Sequence, residues 1–316
     1  MSSLLLQRLF DALSNGAVYA ALALALTLVF RTTGVLNLAQ GEMAMISAYV
    51  AALLRSEADP RFAFSDWFAR LGTPWPVWAA VAAAVVFGAL LGAVVHRLIM
   101  QPLEGETPLP QVGAALGLFL LINGLAFMWW GPQLRDVGSP FPNEIDDHVV
   151  LLGARLRYQT IGVVATIAAA LGVLAFVQRR TKLGLAFRAV ISNPSGARLV
   201  GIKVGSVLMI GWAVAAALGA LGGGLIAGQL FVGPAMMSRL IVFALAAATL
   251  GGLGNPKGAL VGGFALAGLE TLLVGYVSFV TSDVALIYTL GILIIVLLVR
   301  PGGIFGTDVA LRRAVS

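Results

Sequence analysis

The chain runs to 316 residues, of which 59% are hydrophobic and only 11% charged. A soluble domain carries about 25% charged residues, so this composition excludes a soluble enzyme with an ordinary surface, and it excludes disorder equally. With no cysteine there is no disulfide framework or thiolate metal site, with two histidines far apart a His-based metal centre is not expected, and the net charge of +6 is too dispersed for a nucleic-acid surface.

A hydrocarbon core about 30 Å thick takes about 20 apolar residues per helix. Apolar windows of that order lie at 12–30, 34–54, 77–98, 111–130, 160–178, 206–230, 240–254, 258–275 and 284–299. The expected fold is all-α: a polytopic membrane helical bundle of eight or nine transmembrane helices, forming a single transmembrane domain over 1–316. The count stays open at the seventh and eighth windows, which are short and meet at Gly254-Asn255-Pro256-Lys257-Gly258. Short re-entrant helices near 240–275 are the alternative, tolerable only where their backbone is buried in protein. No basic stretch precedes the first window, whose apolar run passes into the next, so it reads as a span rather than a cleavable signal.

Lys and Arg concentrate on the cytoplasmic side of membrane proteins. The segment 179–204 carries Arg179, Arg180, Lys182, Arg188, Arg198 and Lys203 and no acid, so it is placed inside. Nine spans threaded outward from it put twelve of the 20 basic residues inside, among them Arg312 and Arg313. Most acids then fall outside, including Asp59 and Asp283, with Asp308 inside. The expected topology is N-terminus out and C-terminus in.

Within the windows, small residues four apart recur as Gly88/Gly92, Gly113/Gly117, Gly219/Gly223, Gly224/Gly228 and Gly258/Gly262. Such pairs let helix backbones approach closely in lipid. The density from Gly219 to Gly228 predicts a buried helix. Ionisable groups at bilayer depth are costly and call for a reason. Glu42 follows Asn37 and Gln40; either Asn37 caps a helix whose positive end favours Glu42, or the group is a gate beside Gly34 and Gly41. Glu270, deep in the eighth window, either faces a polar pathway, pairs with a partner subunit, or snorkels to an interface. Asn123 and Gln229 are expected to make interhelical hydrogen bonds.

Segment 179–204 is the most informative part of the chain. Leu183, Phe187, Val190 and Ile191 recur at helical spacing, with Arg188 off that stripe. Asn193 before Pro194 is a helix start, and Gly201 after Arg198 sits where a left-handed stop is expected. Two short helices joined at Asn193-Pro194 are predicted. Such a loop either sets topology and rests on anionic lipid, or is a docking knob for a cytoplasmic partner. No Gly-x-x-x-x-Gly-Lys-Ser/Thr run and no His-Glu-x-x-His helix occur, so ATP hydrolysis and zinc proteolysis by this chain are not expected.

The stretch GLAFRAVISNPSGARLVGI at 184–202 resembles the cytoplasmic coupling loop of branched-chain amino-acid ABC transporter permeases of the LivH type. NGAVYAALALALTLVFRTTGVLNLAQGEMAMISAYV at 15–50 resembles the same family, whose Gly-x-x-Asn-x-Ala-x-Gly-Glu core is met by Gly34, Asn37, Ala39, Gly41 and Glu42. Position 40, often His in such proteins, is Gln40 here, so no proton-linked role carries over to it. LAAATLGGLGNPKGALVGGFALAGLE at 245–270 and LLVRPGGIFG at 297–306 agree as well.

The resemblance implies a permease subunit of an ATP-driven importer for branched-chain amino acids or related small amino acids and amides, in the cell inner membrane, working by alternating access. Implied partners are a second homologous permease, two ATP-binding subunits that use ATP and Mg, an extracytoplasmic solute-binding protein, and lipid. No cofactor is implied on this chain. Leu183, Phe187, Arg188, Asn193, Pro194, Arg198 and Gly201 would then couple to the ATPase, Asn37, Gln40, Glu42 and Glu270 would serve the pathway or gate, and Gly219, Gly223, Gly224 and Gly228 would pack helices. The alternative is a stand-alone secondary carrier or channel, which predicts internal repeats, and none is evident.

Overall fold

In a computed structural model, residues 2–57, 62–277, 280–281, 284–300 and 302–305 are described. Asp59, Arg61, Asp283, Pro301, Gly306, Asp308, Arg312 and Arg313, used in the charge count or the quoted motifs, lie outside them. Each of the nine apolar windows corresponds to a helix: α1 (Ser2–Thr33), α2 (Gln40–Arg55), α4 (Val77–Val95), α5 (Pro108–Trp130), α6 (Tyr158–Arg180), α9 (Val204–Leu230), α10 (Ser238–Gly251), α11 (Pro256–Tyr276) and α12 (Ala285–Val299). Between them lie short helices α3 (Ser65–Ala69), α7 (Lys182–Ser192) and α8 (Pro194–Leu199). By length and composition, six of the described segments are able to cross a membrane: Leu4–Thr33, Val77–Leu103, Pro108–Trp130, Tyr158–Arg180, Val204–Leu230 and Pro256–Tyr276. Helices α10 and α12 are apolar but shorter.

Two expectations change here. The eighth window is a full 21-residue helix, so of that pair only the seventh, at 14 residues, is short. The described residues also include a hairpin that hydropathy does not signal, because its strands are only four residues each. β1 (His148–Leu151) pairs antiparallel with β2 (Ala154–Arg157), His148 opposite Arg157. Leu152 and Gly153 turn it with positive φ at both positions, as a tight two-residue hairpin demands.

The chain divides into two units. One comprises Met1–Thr27, Phe141–Ala168 and Arg239–Ser316, the other Leu28–Pro140 and Ala169–Ser238. In the first, the α10–α11 turn is built by contact of backbones: a Cβ on Gly262 would strike the Ala247 carbonyl, and one on Gly258 the Gly251 carbonyl. Asn255 caps α11, accepting from Lys257 N (3.1 Å) and Gly258 N (3.2 Å), with Pro256 at the first helical position. Asn255 Nδ2 also donates to Phe305 O at 2.9 Å. The hairpin is tied to α1 by Gln7, which donates to Arg155 O (3.1 Å) and accepts from Arg155 N (2.7 Å).

The second unit is centred on α2, α4 and α9. Gly88 faces Ala220 and Ser47, and Gly92 faces Ala216 and the Trp212 carbonyl. Without side chains at these two positions α4 lies directly on α9. The predicted burial of α9 is observed across Gly219–Ala227 with Leu221 half-buried: Gly219 meets Gln40 and Ala44, Gly223 meets Met237 and the Ala44 backbone, Gly224 meets Val81, and Gly228 meets the Gly138 backbone. The Gly113/Gly117 pair does not pack as expected. Both are exposed, with nothing within contact distance of either Cβ position. Spacing alone does not say which helix face is covered. At one end of this unit, Tyr49 stacks on Trp130 (4.1 Å), Phe62 abuts both, and Arg135 lies over Phe62 at 4.4 Å.

Candidate functional site

Three clusters of the expected residues form, and each belongs to one unit. The first is the junction of α1 and α2. Gly34 adopts a positive φ and ends α1, and the chain re-enters a helix at Gln40. Asn37 is not the cap of α2: Ala39 stands there without a side-chain bond. Asn37 Oδ1 accepts from Ala39 N (3.1 Å), while its Nδ2 donates to Gln40 Oε1 (3.2 Å). Gln40 Nε2 donates in turn to the Ala215 carbonyl of α9 (3.0 Å). Glu42 Oε2 accepts from Asn123 Nδ2 on α5 (3.1 Å), and the same nitrogen donates to Pro234 O (3.0 Å). Asn37, Gln40 and Glu42 are all buried. Gln40 and Glu42 therefore bond between helices, as expected of Asn123, while Asn37 bonds within the turn; Gln229 by contrast is exposed. Asn37 borders a small cavity shared with Thr33, Leu36, Met100, Gln111 and Trp212.

The second cluster surrounds Glu270. Tyr19 of α1 donates to Glu270 Oε2 at 2.9 Å, and Arg239, at the start of α10, donates to Glu270 Oε1 at 2.6 Å. Phe243, one turn after Arg239, stacks on Tyr19 with centroids 5.0 Å apart and rings 7° from parallel, and the guanidinium lies 5.5 Å from the Phe243 centroid. Glu270 is buried, so it does not snorkel to an interface, and its charge is matched within this chain. Neither Tyr19 nor Arg239 stood out in the sequence. Tyr19 lies in an apolar run, and Arg239 borders a window as charged residues commonly do.

The third cluster is the elbow. α7 and α8 form as predicted, with Asn193 capping α8 by accepting from Gly196 N at 2.9 Å, Pro194 opening it, and Gly201 turning the chain with positive φ. Thr181 caps α7 by accepting from Gly184 N at 3.3 Å. Phe187, Val190 and Ala197 pack with Val204, Val207 and Leu208 of α9 into one buried cluster. Leu183 stands outside that cluster, at the edge of a groove lined by Leu174, Val177 and Ile210. The opposite face presents Leu185, Leu199 and Val200, which are 62%, 90% and 75% exposed. Lys182, Arg188, Arg198 and Lys203 are exposed around them. Exposed apolar residues interspersed with exposed basic ones along one short segment are the composition of an interaction surface. The sequence did not single out these three residues, because exposure and not residue type sets them apart.

One further feature was not foreseen. After α4 the chain passes through a π-helical turn, His96–Met100, and then a 3₁₀ turn ending at Leu103. Buried His96 lies 3.2 Å from Glu104 through Nε2, close enough to pair when charged though not aligned as a hydrogen bond. Burial pushes the Glu104 carboxyl above the usual carboxylate range, and Arg198 of α8 pulls it back. The only local signal for this turn is Pro102, which lacks the N–H a regular helix would use.

A bundle of apolar helices joined through buried polar bonds, with a capped helical elbow on a charged loop, has the makings of a membrane transport permease. Residues 8–299 match the family described as branched-chain amino acid transport system, permease component. The chain is 28% identical to the high-affinity branched-chain amino acid transport system permease protein BraD of Pseudomonas aeruginosa, over 95% of each chain. It is 29% identical to the corresponding permease protein LivH of Escherichia coli K12, again over 95% of each. To the probable branched-chain amino acid transport permease protein LivH of Methanocaldococcus jannaschii it is 30% identical, over 91% of this chain and 88% of that one. The chain belongs to this permease family.

Proposed function

We propose that this chain is one membrane subunit of an ATP-driven importer in the cell inner membrane, and that it conducts branched-chain amino acids or related small amino acids and amides. It pairs with a second homologous permease, receives solute from an extracytoplasmic binding protein, and is driven by two ATP-binding subunits that use ATP and Mg. The N-terminus lies outside and the C-terminus in the cytoplasm. Alternating access follows when movement of the ATPases pushes the elbow.

The observation that carries this reading is the construction of the elbow. Two capped helices are clamped to the first two turns of α9 by Phe187, Val190 and Ala197, leaving Leu185, Leu199 and Val200 outward. A push on those residues is delivered to α9 rather than absorbed by a slack loop. Close-packed interfaces respond to such loads as rigid bodies. Arg188→Glu and Leu199→Glu test it in the reconstituted transporter. Both variants are expected to insert normally and to lose solute uptake while the ATPases still hydrolyse ATP. Uptake coupled to ATP as in the unaltered protein would remove the elbow from this role, and uptake by this chain alone in liposomes would replace the importer with a carrier.

A further inference from the structure

The cluster around Glu270 holds more than a helix pair needs. A guanidinium has five N–H donors in a planar fork, and carboxylates are commonly held by two of them at once. Here a single donor, Nη2, bonds Glu270 Oε1 at 2.6 Å, and Tyr19 holds the other oxygen. The Arg239 side chain is 41% exposed against 10% for Glu270, and none of its nitrogens is among the buried atoms lacking a partner. Its remaining donors therefore point away from the carboxylate into accessible space. Phe243 supports this pose, with the guanidinium 5.5 Å from its centroid and its ring stacked on Tyr19.

An ion pair whose only task was to join α10 to α11 would be replaced at little cost by apolar packing. A second anion at the open edge of the fork gives the excess donors a purpose. We propose that Arg239 binds the α-carboxylate of a zwitterionic amino acid in transit, with Glu270 and Tyr19 as positioning residues that hold the guanidinium edge-on to it. This rests on the import reading above and narrows it: the solute carries a carboxylate, which amides and urea lack. The Glu270 carboxylate beside the fork also favours a ligand that brings its own ammonium, so the loaded station stays close to neutral.

The test uses the complete transporter in proteoliposomes, with L-leucine as the probe and uptake divided by the amount of assembled complex. Arg239→Gln is expected to lower uptake at sub-saturating leucine roughly ten-fold or more, the scale of one charge-assisted hydrogen bond. Arg239→Lys is expected to retain part of it. The double variant Arg239→Gln with Glu270→Gln removes both charges and leaves a neutral hydrogen-bonding pair, so it repairs any defect due only to an uncompensated carboxylate. A loss that persists in the double variant supports the assignment. Uptake restored in the double variant, or undiminished in Arg239→Gln, overturns it and leaves the pair structural. Import by the unaltered transporter of small amides but of no amino acid would also overturn the carboxylate assignment while leaving the import reading standing, and failure to import any amino acid or amide would instead refute the import reading itself.

Discussion

Gly92→Ala measures how much of this fold depends on backbone contact between helices. The added Cβ would lie 2.6 Å from Ala216 Cβ and 2.6 Å from the Trp212 carbonyl oxygen. Carbon atoms rest at about 3.5–4.0 Å, so α4 and α9 must part by roughly 1 Å. Neither obstacle is the end of a flexible side chain, so no rotamer change relieves the overlap. Overpacking of this kind costs about 1–3 kcal/mol. Gly117→Ala is the matched control: it too adds a methyl to a helix interior, but into open space. Both variants gain the same helix propensity of about 0.5–1 kcal/mol over glycine, so that term cancels in the comparison. In unfolding from nanodiscs or graded detergent, Gly92→Ala is expected to be less stable than Gly117→Ala by about 1–3 kcal/mol. Equal stability would refute the claim that α4 and α9 meet through their backbones.

Other expectations concern the polar bonds and the elbow. Glu42→Leu deprives Asn123 of one acceptor and should cost about 1–3 kcal/mol, whereas Glu42→Gln keeps an oxygen in place and should fold normally; comparing assembled protein for the two variants decides it. If uptake nevertheless falls in Glu42→Gln, the charge has a role beyond the hydrogen bond. Asn193→Ala removes the cap of α8 and is expected to destabilise that helix by about 1 kcal/mol. Faster amide exchange confined to 195–200 would register the change, and unaltered exchange there would count against the cap.

The elbow was legible because its signals are local. An Asn-Pro start, a glycine stop and an apolar stripe each act within a few residues, and the observed caps at Thr181 and Asn193 use donors three residues away. Asn37 misled for a related reason. Its side chain can satisfy a nearby N–H either as a helix cap or in a turn, and the positive φ of Gly34 together with the bond to Gln40 places it in the turn. The glycine pairs divide in the same way: Gly88/Gly92 and Gly117 share a residue type, and only the neighbouring helix distinguishes them.

From the amino-acid order alone came the lipid environment, the positions of nine helices and the capped elbow, because apolar length and capping chemistry are properties of short stretches of chain. Tertiary structure decided which polar groups meet. Glu270 finds Arg239 31 positions away and Tyr19 251 positions away, and Gln40 reaches the backbone of α9 175 positions on. Such partners are chosen when helices pack, since lipid offers a buried carboxylate or amide no hydrogen bond and the protein must supply one from whichever helix lies beside it.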